Sequence, residues 1–344
     1  MGFFTEEGWE MPAHWHRIRT IEMHTGGEPL RVISAGLPPI EGRTVLEKRR
    51  YFREHYDHLR TGLMWEPRGH ADMYGAVVTR SETADFDVFF LHNEGYSTMC
   101  GHAIIALTTL ALEMEAHPAG GDARELTINV PAGTVRARGV VEGRRVREVF
   151  FRNVPSFAFL QDRDIEVAGL GQVRFDIAYG GAFYAIIEAA PLGLALRPQE
   201  YDRLIDYGRR IKQAIVKHHP ITHPTECELS FLYGTIFVGA AMEPSHHSRN
   251  VTVFADGEID RSATGTGVSA RAALLHARGE LRDGESITIE SILGSTMTVR
   301  CLEQSRLGAH AAIIPEVSGT AHIIGRSEFC FDPQDPLKRG FLLR

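Results

Sequence analysis

The sequence predicts an α+β fold in two similar halves, each with mixed strands around one central buried helix. Three observations carry that reading. A polar run from Asn93 to Met99 ends in a lone thiol, Cys100, followed by Gly101-His102 and then by apolar residues at helical spacing. The same construction recurs in Asp260-Arg261-Ser262-Ala263-Thr264-Gly265-Thr266-Gly267-Val268-Ser269-Ala270, with Thr264 in the place of Cys100, Gly265 of Gly101, Thr266 of His102 and Ala270 of Ala106. The flanks repeat in the same order. Thr25-Gly26-Gly27-Glu28-Pro29 precedes the first stretch as Tyr179-Gly180-Gly181-Ala182-Phe183 precedes the second, and Leu126-Thr127-Ile128 leads to Gly133 as Ile287-Thr288-Ile289 leads to Gly294. Matching landmarks in matching order indicate a duplicated domain. A pseudo-twofold axis would bring both helix starts to one shared cleft.

The elements follow in order. Ile18 to Met23 alternates like a strand, Gly26-Gly27 bends it, and Leu30 to Ile33 resumes it. Pro38-Pro39 opens a turn into a helix from Thr44 to Leu63. Glu66 to His70 is a loop ahead of Met73 to Val78, and Val88 to Leu91 is a buried strand feeding the Cys100 loop. A Pro/Gly linker is read at His117 to Gly121, then strands near 126–130, 134–140 and 146–151. In the second half a strand at Tyr179 to Glu188 precedes a helix from Gln199 to His218. Strands at Ile236 to Val238 and Arg249 to Phe254 lead to the Thr264 helix, which Gly279 stops. Strands near 286–290, 296–302 and 309–314 complete the repeat, with connections too short for a wholly parallel sheet. The halves are drawn at 1–175 and 176–325, residues 1–16 read as a loose lead-in, and the tail 326–344, without a counterpart in its own half, is expected to join the first.

With 344 residues, 43% hydrophobic and 24% charged, the chain suits two soluble domains, each with its own core. Its 37 basic and 44 acidic residues leave a net charge of −7 without a basic stripe, which argues against nucleic acid as a partner. No apolar run approaches membrane-spanning length. Met1-Gly2-Phe3-Phe4 has no basic region or signal core, and the cysteines at 100, 227, 301 and 330 show no paired spacing. Neither a disulfide framework nor a zinc site is indicated, and a reducing, cytoplasmic setting is expected.

A helix start offers unpaired N–H groups and a positive dipole end, which lower a thiol's pKa and bind anions. Read alone, Cys100 fits such a reactive thiol and an inert core residue equally. Gly265 to Ala270 satisfies G-x-G-x-x-A, with Glu290 at a suitable distance. The preceding Asp256 to Ser262 is polar where a dinucleotide fold needs a buried strand, so no nucleotide cofactor is expected. His218, His219, His223, His246 and His247 lie in loops rich in Pro, Ser and Thr, form no helical H-x-x-x-H pair and read as solvated loop, not metal ligands. His102, two residues beyond Cys100, would not face it on a helix. It is read as a substrate-binding or field-tuning group, not a hydrolase partner. Arg68 and His70 fit a cleft lining and a structural ion pair equally.

Met99-Cys100-Gly101-His102 with Asp260 to Gly267, flanked by His24-Thr25-Gly26-Gly27-Glu28-Pro29 and Gly180-Gly181-Ala182-Phe183-Tyr184, resembles the proline racemase family. That family includes hydroxyproline epimerases and trans-3-hydroxyproline dehydratases, and the resemblance spans nearly the whole chain. It implies a diaminopimelate-epimerase-like fold, two pseudo-symmetric halves each wrapping sheet around a central helix, with no cofactor or metal. Racemases of the family carry a second Cys where this sequence has Thr264. Racemisation needs an acid and a base on opposite faces of Cα. A thiol with a pKa of about 8.5 can serve as either, and a threonine hydroxyl is too weak an acid. Cys with Thr resembles the dehydratase branch, which acts on trans-3-hydroxy-L-proline. By this resemblance Cys100 and Thr264 are the catalytic pair. Gly101, His102, Gly265 and Thr266 hold the substrate carboxylate through backbone N–H groups, and Asp260 receives the ring ammonium. The implied product is Δ1-pyrroline-2-carboxylate; the alternative is a 4-hydroxyproline 2-epimerase or proline racemase. The implied partners are a small amino acid and, as an open question, a second copy of the chain.

Overall fold

The computed structural model describes residues 10–114 and 123–343. The expected linker at 117–121 and the first nine residues of the expected lead-in lie outside the described residues. Strands β1 (His16–Thr25) and β2 (Glu28–Ala35) form a hairpin whose turn glycines, Gly26 and Gly27, hold φ of +59° and +96°, a region open to glycine. Helix α1 (Val45–Met64) starts at a reciprocal cap between Thr44 and Glu47 and buries Phe52, Leu59 and Leu63. Then come β3 (Tyr74–Thr79), β4 (Phe86–His92), the short β5 (Tyr96–Ser97) and helix α2 (Gly101–Glu113). Strands β6 (Ala123–Val130), β7 (Gly133–Glu142) and β8 (Arg145–Arg152) form a meander.

The second half repeats the plan after a long hairpin, β9 (Phe157–Val167) with β10 (Gly171–Tyr179). It continues with β11 (Phe183–Glu188), helix α3 (Tyr201–His218), β12 (Leu232–Gly239), β13 (Ser248–Phe254), β14 (Glu258–Ile259) and helix α4 (Gly265–Ala277). Strands β15 (Ser286–Glu290), β16 (Thr296–Leu307), β17 (His310–Gly319) and β18 (Ala321–Phe331) close the chain. Topology repeats as well as order. β2 runs parallel to β3 as β11 does to β12, and β4 parallel to β6 as β13 does to β15. Even the register agrees: Ile128 lies opposite Phe86, and its repeat counterpart Ile289 lies opposite Ser248.

Two connections bind the halves into one sheet system. β17 pairs with β8, and β18 pairs with β1 along its whole length. A cut between residues 175 and 176 falls inside β10, which pairs with both β9 and β11. We therefore propose that the division lies after β8, with β18 returned to the first half.

α2 and α4 are buried nearly all round, as their apolar, small-residue sequences require. One continuous core surrounds them both, and a smaller one lies under α1. The two helices meet start to start. A Cβ placed on Gly101 would lie 2.5 Å from Cα of Gly265, and one on Gly265 would lie 2.6 Å from Cα of Gly101. Only glycine at both positions lets the backbones approach this closely.

Candidate active site

Cys100 is the residue before α2, not its first turn, and its backbone is extended (φ −144°, ψ 105°). The side chain therefore folds back over the helix start. Sγ accepts the N–H of Ala103 at 3.4 Å and lies 3.2 Å from Nδ1 of His102. This corrects the expectation that the two side chains do not face each other. Helical spacing does not apply to a residue outside the helix. Burial lowers the His102 pKa to about 4, so at neutral pH the thiol faces a neutral imidazole and not a hydrolase-type imidazolium.

Thr264 occupies the matching position in a different conformation. Its φ of +67° is unusual for a β-branched residue and costs on the order of 1–3 kcal/mol. Its Oγ1 donates to Oγ1 of Thr252 at 2.8 Å, and its N–H donates to Oγ of Ser262 at 3.1 Å. α4 has no side-chain cap, so its first N–H groups face the helix junction without one. Asp260 is fixed by its own backbone: its N–H donates to the Thr252 carbonyl at 3.0 Å, and Oδ1 accepts the N–H of Ser262 at 2.7 Å.

Cys100, Gly101, His102, Asp260, Thr264, Gly265 and Thr266 all line one small cavity at the junction. Met99, Tyr74, Tyr184, Tyr233 and Phe254 complete its wall. The tyrosines are tied in: Tyr184 Oη lies 2.7 Å from Oγ1 of Thr266, Tyr74 Oη bonds Ser97 Oγ, and Tyr74 and Tyr233 hydroxyls lie 3.4 Å apart. Sequence reasoning missed this aromatic wall, since single tyrosines in strands look like core. A larger cleft of about 740 Å³ between α4 and strands β10 and β11 contains neither the thiol nor a helix start.

Glu28, also missed, is fully buried beside the cavity. Its Oε2 accepts the Arg261 N–H at 2.7 Å, while Oε1 has no hydrogen-bond partner. One donor atom each from Glu28, His102 and Asp260 fall within 4.8 Å of one another. That trio has the donor count of a metal site. Glu28 Oε2 is engaged by the Arg261 backbone and His102 is turned to the thiol. Burial, then the Asp260 charge, push the Glu28 pKa well above the carboxylate range. The Cys100 thiol is also pushed up, chiefly by burial and further by Asp260 and Glu28, with the Ala103 N–H pulling the other way. The lowering expected from the helix start is therefore outweighed in the free site.

Other expectations resolve structurally. Arg68 donates to the carbonyls of Cys330 and Lys338 and stacks on Phe331, so it anchors the tail and not the cleft. His70 is exposed, its Nδ1 2.7 Å from the Ala71 carbonyl. His223 is not solvated: it is buried against Tyr179, and its ring nitrogen accepts the N–H of Glu226 at 3.1 Å. Glu290 pairs with Arg249 and His246.

The sequence profile described as Proline racemase matches residues 20–342. The chain belongs to the proline racemase family. A family relative from Colwellia psychrerythraea, named trans-3-hydroxy-L-proline dehydratase, is 51% identical over 95% of this chain and 93% of its own length. A Burkholderia multivorans relative named 3-hydroxyproline 2-epimerase is 43% identical over 95% of this chain and 98% of its own. Among solved structures of the family, a hydroxyproline epimerase from Agrobacterium vitis with bound trans-4-OH-L-proline superposes with a TM-score of 0.91 at 30% identity, covering 96% of each chain. The expected epimerase-type fold is therefore the fold of this chain.

Proposed function

We propose that this chain dehydrates trans-3-hydroxy-L-proline to Δ1-pyrroline-2-carboxylate without metal or organic cofactor. The observation that carries the reading is the unequal pair on one cavity: a thiol at Cys100 and a hydrogen-bonded hydroxyl at Thr264. The 51% identical dehydratase supports the substrate, and the epimerase holding trans-4-OH-L-proline supports an imino acid in this cavity.

In this reading the substrate carboxylate sits on the N–H groups at the two helix starts, Gly101-His102 and Gly265-Thr266. Asp260 receives the ring ammonium. That cation offsets the carboxylate that raises the thiol's pKa, so binding itself favours the thiolate. Cys100 then removes the α-proton, and the same N–H groups stabilise the charge developing on the carboxylate. With Thr264 unable to return a proton from the other face, the electrons expel the 3-hydroxyl. The enamine tautomerises to the cyclic imine.

Both halves of the site come from one chain, so a homodimer is not needed to complete it. Four free thiols suit a reducing, cytoplasmic setting. No described helix is long and apolar enough to cross a membrane. The test is incubation with trans-3-hydroxy-L-proline, trans-4-hydroxy-L-proline and L-proline, with and without a chelator. Cyclic imine is read with ortho-aminobenzaldehyde and inversion by chiral chromatography. Chelator-resistant imine from the 3-hydroxy substrate alone is expected. Brisk inversion without imine would establish the epimerase reading, which the Burkholderia multivorans relative supports.

A further inference from the structure

Resting on the dehydratase reading, we infer that Glu28 is the acid that protonates the departing 3-hydroxyl, through its free Oε1. The substrate has three polar groups. The helix starts account for the carboxylate and Asp260 for the ammonium, which leaves the 3-hydroxyl without a protein partner. Two buried carboxyl oxygens here, Oε1 of Glu28 and Oε2 of Glu258, lack a hydrogen bond, and it is Glu28 whose carboxyl lies within 4.8 Å of His102 and Asp260, both of which line the cavity. A buried acceptor or donor left unpaired is costly, so a site that carries one is shaped for a ligand atom.

Position and charge fit the role. In the trans-3-hydroxy isomer the α-hydrogen and the hydroxyl lie on one face of the ring, so the acid must come from the side of Cys100. Glu28 opens β2 and belongs, with Cys100 and His102, to the first half. Asp260 and Thr264 come from the second. The repeat underlines the point. Ala182 stands at the matching place after Gly180-Gly181, so the carboxyl is an addition to one half only. The charged and titratable groups facing Glu28 are Asp260, Glu258 and Arg261 from the second half and His102 and Cys100 from the first. Two carboxyls this close in a closed site do not both ionise readily, and Asp260 is the one that needs its charge.

The step balances. The α C–H bond breaks as the S–H bond forms, its electrons become the Cα–C3 π bond, and the C3–O bond breaks. The hydroxyl leaves with the Glu28 proton as water. The Cys100 thiol then returns its proton to the Glu28 carboxylate, resetting both groups. The enamine loses a proton at nitrogen and gains one at C3.

Glu28→Gln keeps the acceptor for the Arg261 N–H and removes the transferable proton. Its kcat for imine formation should fall by about 100-fold or more, with KM within about threefold of wild type. The pH profile is the readout that a purely structural role would not move. One group must be ionised and the other protonated, so the wild-type profile is a bell. In Glu28→Gln only the rising limb set by Cys100 should remain. A variant with wild-type kcat, or with the bell unchanged, overturns the inference. Should the variant fail to fold, the wild-type profile decides, since a rate that does not fall on the alkaline side also overturns it. A wild type that makes no imine sinks the dehydratase reading itself; imine formation untouched by Glu28→Gln sinks only this one.

Discussion

The two helix starts share a construction and differ in what they do. Cys100 is extended, caps α2 with its own sulfur and touches His102. Thr264 holds a left-handed backbone, leaves α4 without a side-chain cap and gives its hydroxyl to Thr252. The strand behind each explains part of the difference. By the shared register, the place of Thr252 in β13 is taken in β4 by Phe90, which offers a hydrogen-bonding side chain no partner. One half therefore turns a thiol to the cavity, the base of the proposed reaction, and the other spends its hydroxyl on its own sheet. In the proposed reaction a duplicated scaffold presents two helix starts to one anion while confining the base to one of them.

The sharpest way to break this comparison is to remove the base. Cys100→Ser should cut imine formation by about 10²–10⁴-fold or more, with pyrrole-2-carboxylate still bound, because the helix N–H groups remain. Near wild-type turnover would take the thiol out of the mechanism. Next in size is the second half's charge. Asp260→Ala leaves the substrate ammonium buried and unpaired and should cost about 2–5 kcal/mol of affinity for the charged substrate. A negligible loss in isothermal titration would make Asp260 a fold residue. Third, Gly101→Ala tests the junction both halves share. Its Cβ would strike the Gly265 backbone, and a loss of about 1–3 kcal/mol in denaturant unfolding is expected. Smallest is the gain from Thr264→Cys, which restores a two-thiol arrangement and should introduce detectable inversion of proline or 4-hydroxyproline. The activity should be modest, since a misplaced thiol loses much of its rate. Chiral chromatography showing no inversion would mean that position 264 does not face the opposite side of Cα.

Much of this was legible in the sequence because the repeat marks its own landmarks. The glycine pairs, the helix starts and the residues that follow them fall where the structure places the turns and the junction. The hairpin β9–β10 was not legible. Gln161-Asp162-Arg163-Asp164 is charged and exposed, so it carries no alternation to read. The Cys100–His102 contact is hidden from helical spacing because Cys100 lies just outside the helix. Asn93 opens the polar run before Cys100, yet it is buried, with Nδ2 donating to the Met64 and His70 carbonyls at 2.8 and 3.1 Å. Glu28 had a usable signal: a lone acid where the repeat has Ala182. A mismatch between halves identifies an added group only once one knows that the position is buried.

The pairing of β18 with β1 has a consequence for synthesis. Thr25 lies opposite Ala321 and His16 opposite Phe331, so β1 waits for a strand that is made long after it. Until β18 has been made, β1 has β2 on one edge and an open edge on the other, and the sheet around α2 stays incomplete. Contacts of such sequence separation slow folding and favour a late, cooperative closure. The halves look like two domains, yet the first should not mature on a nascent chain that has made only the first.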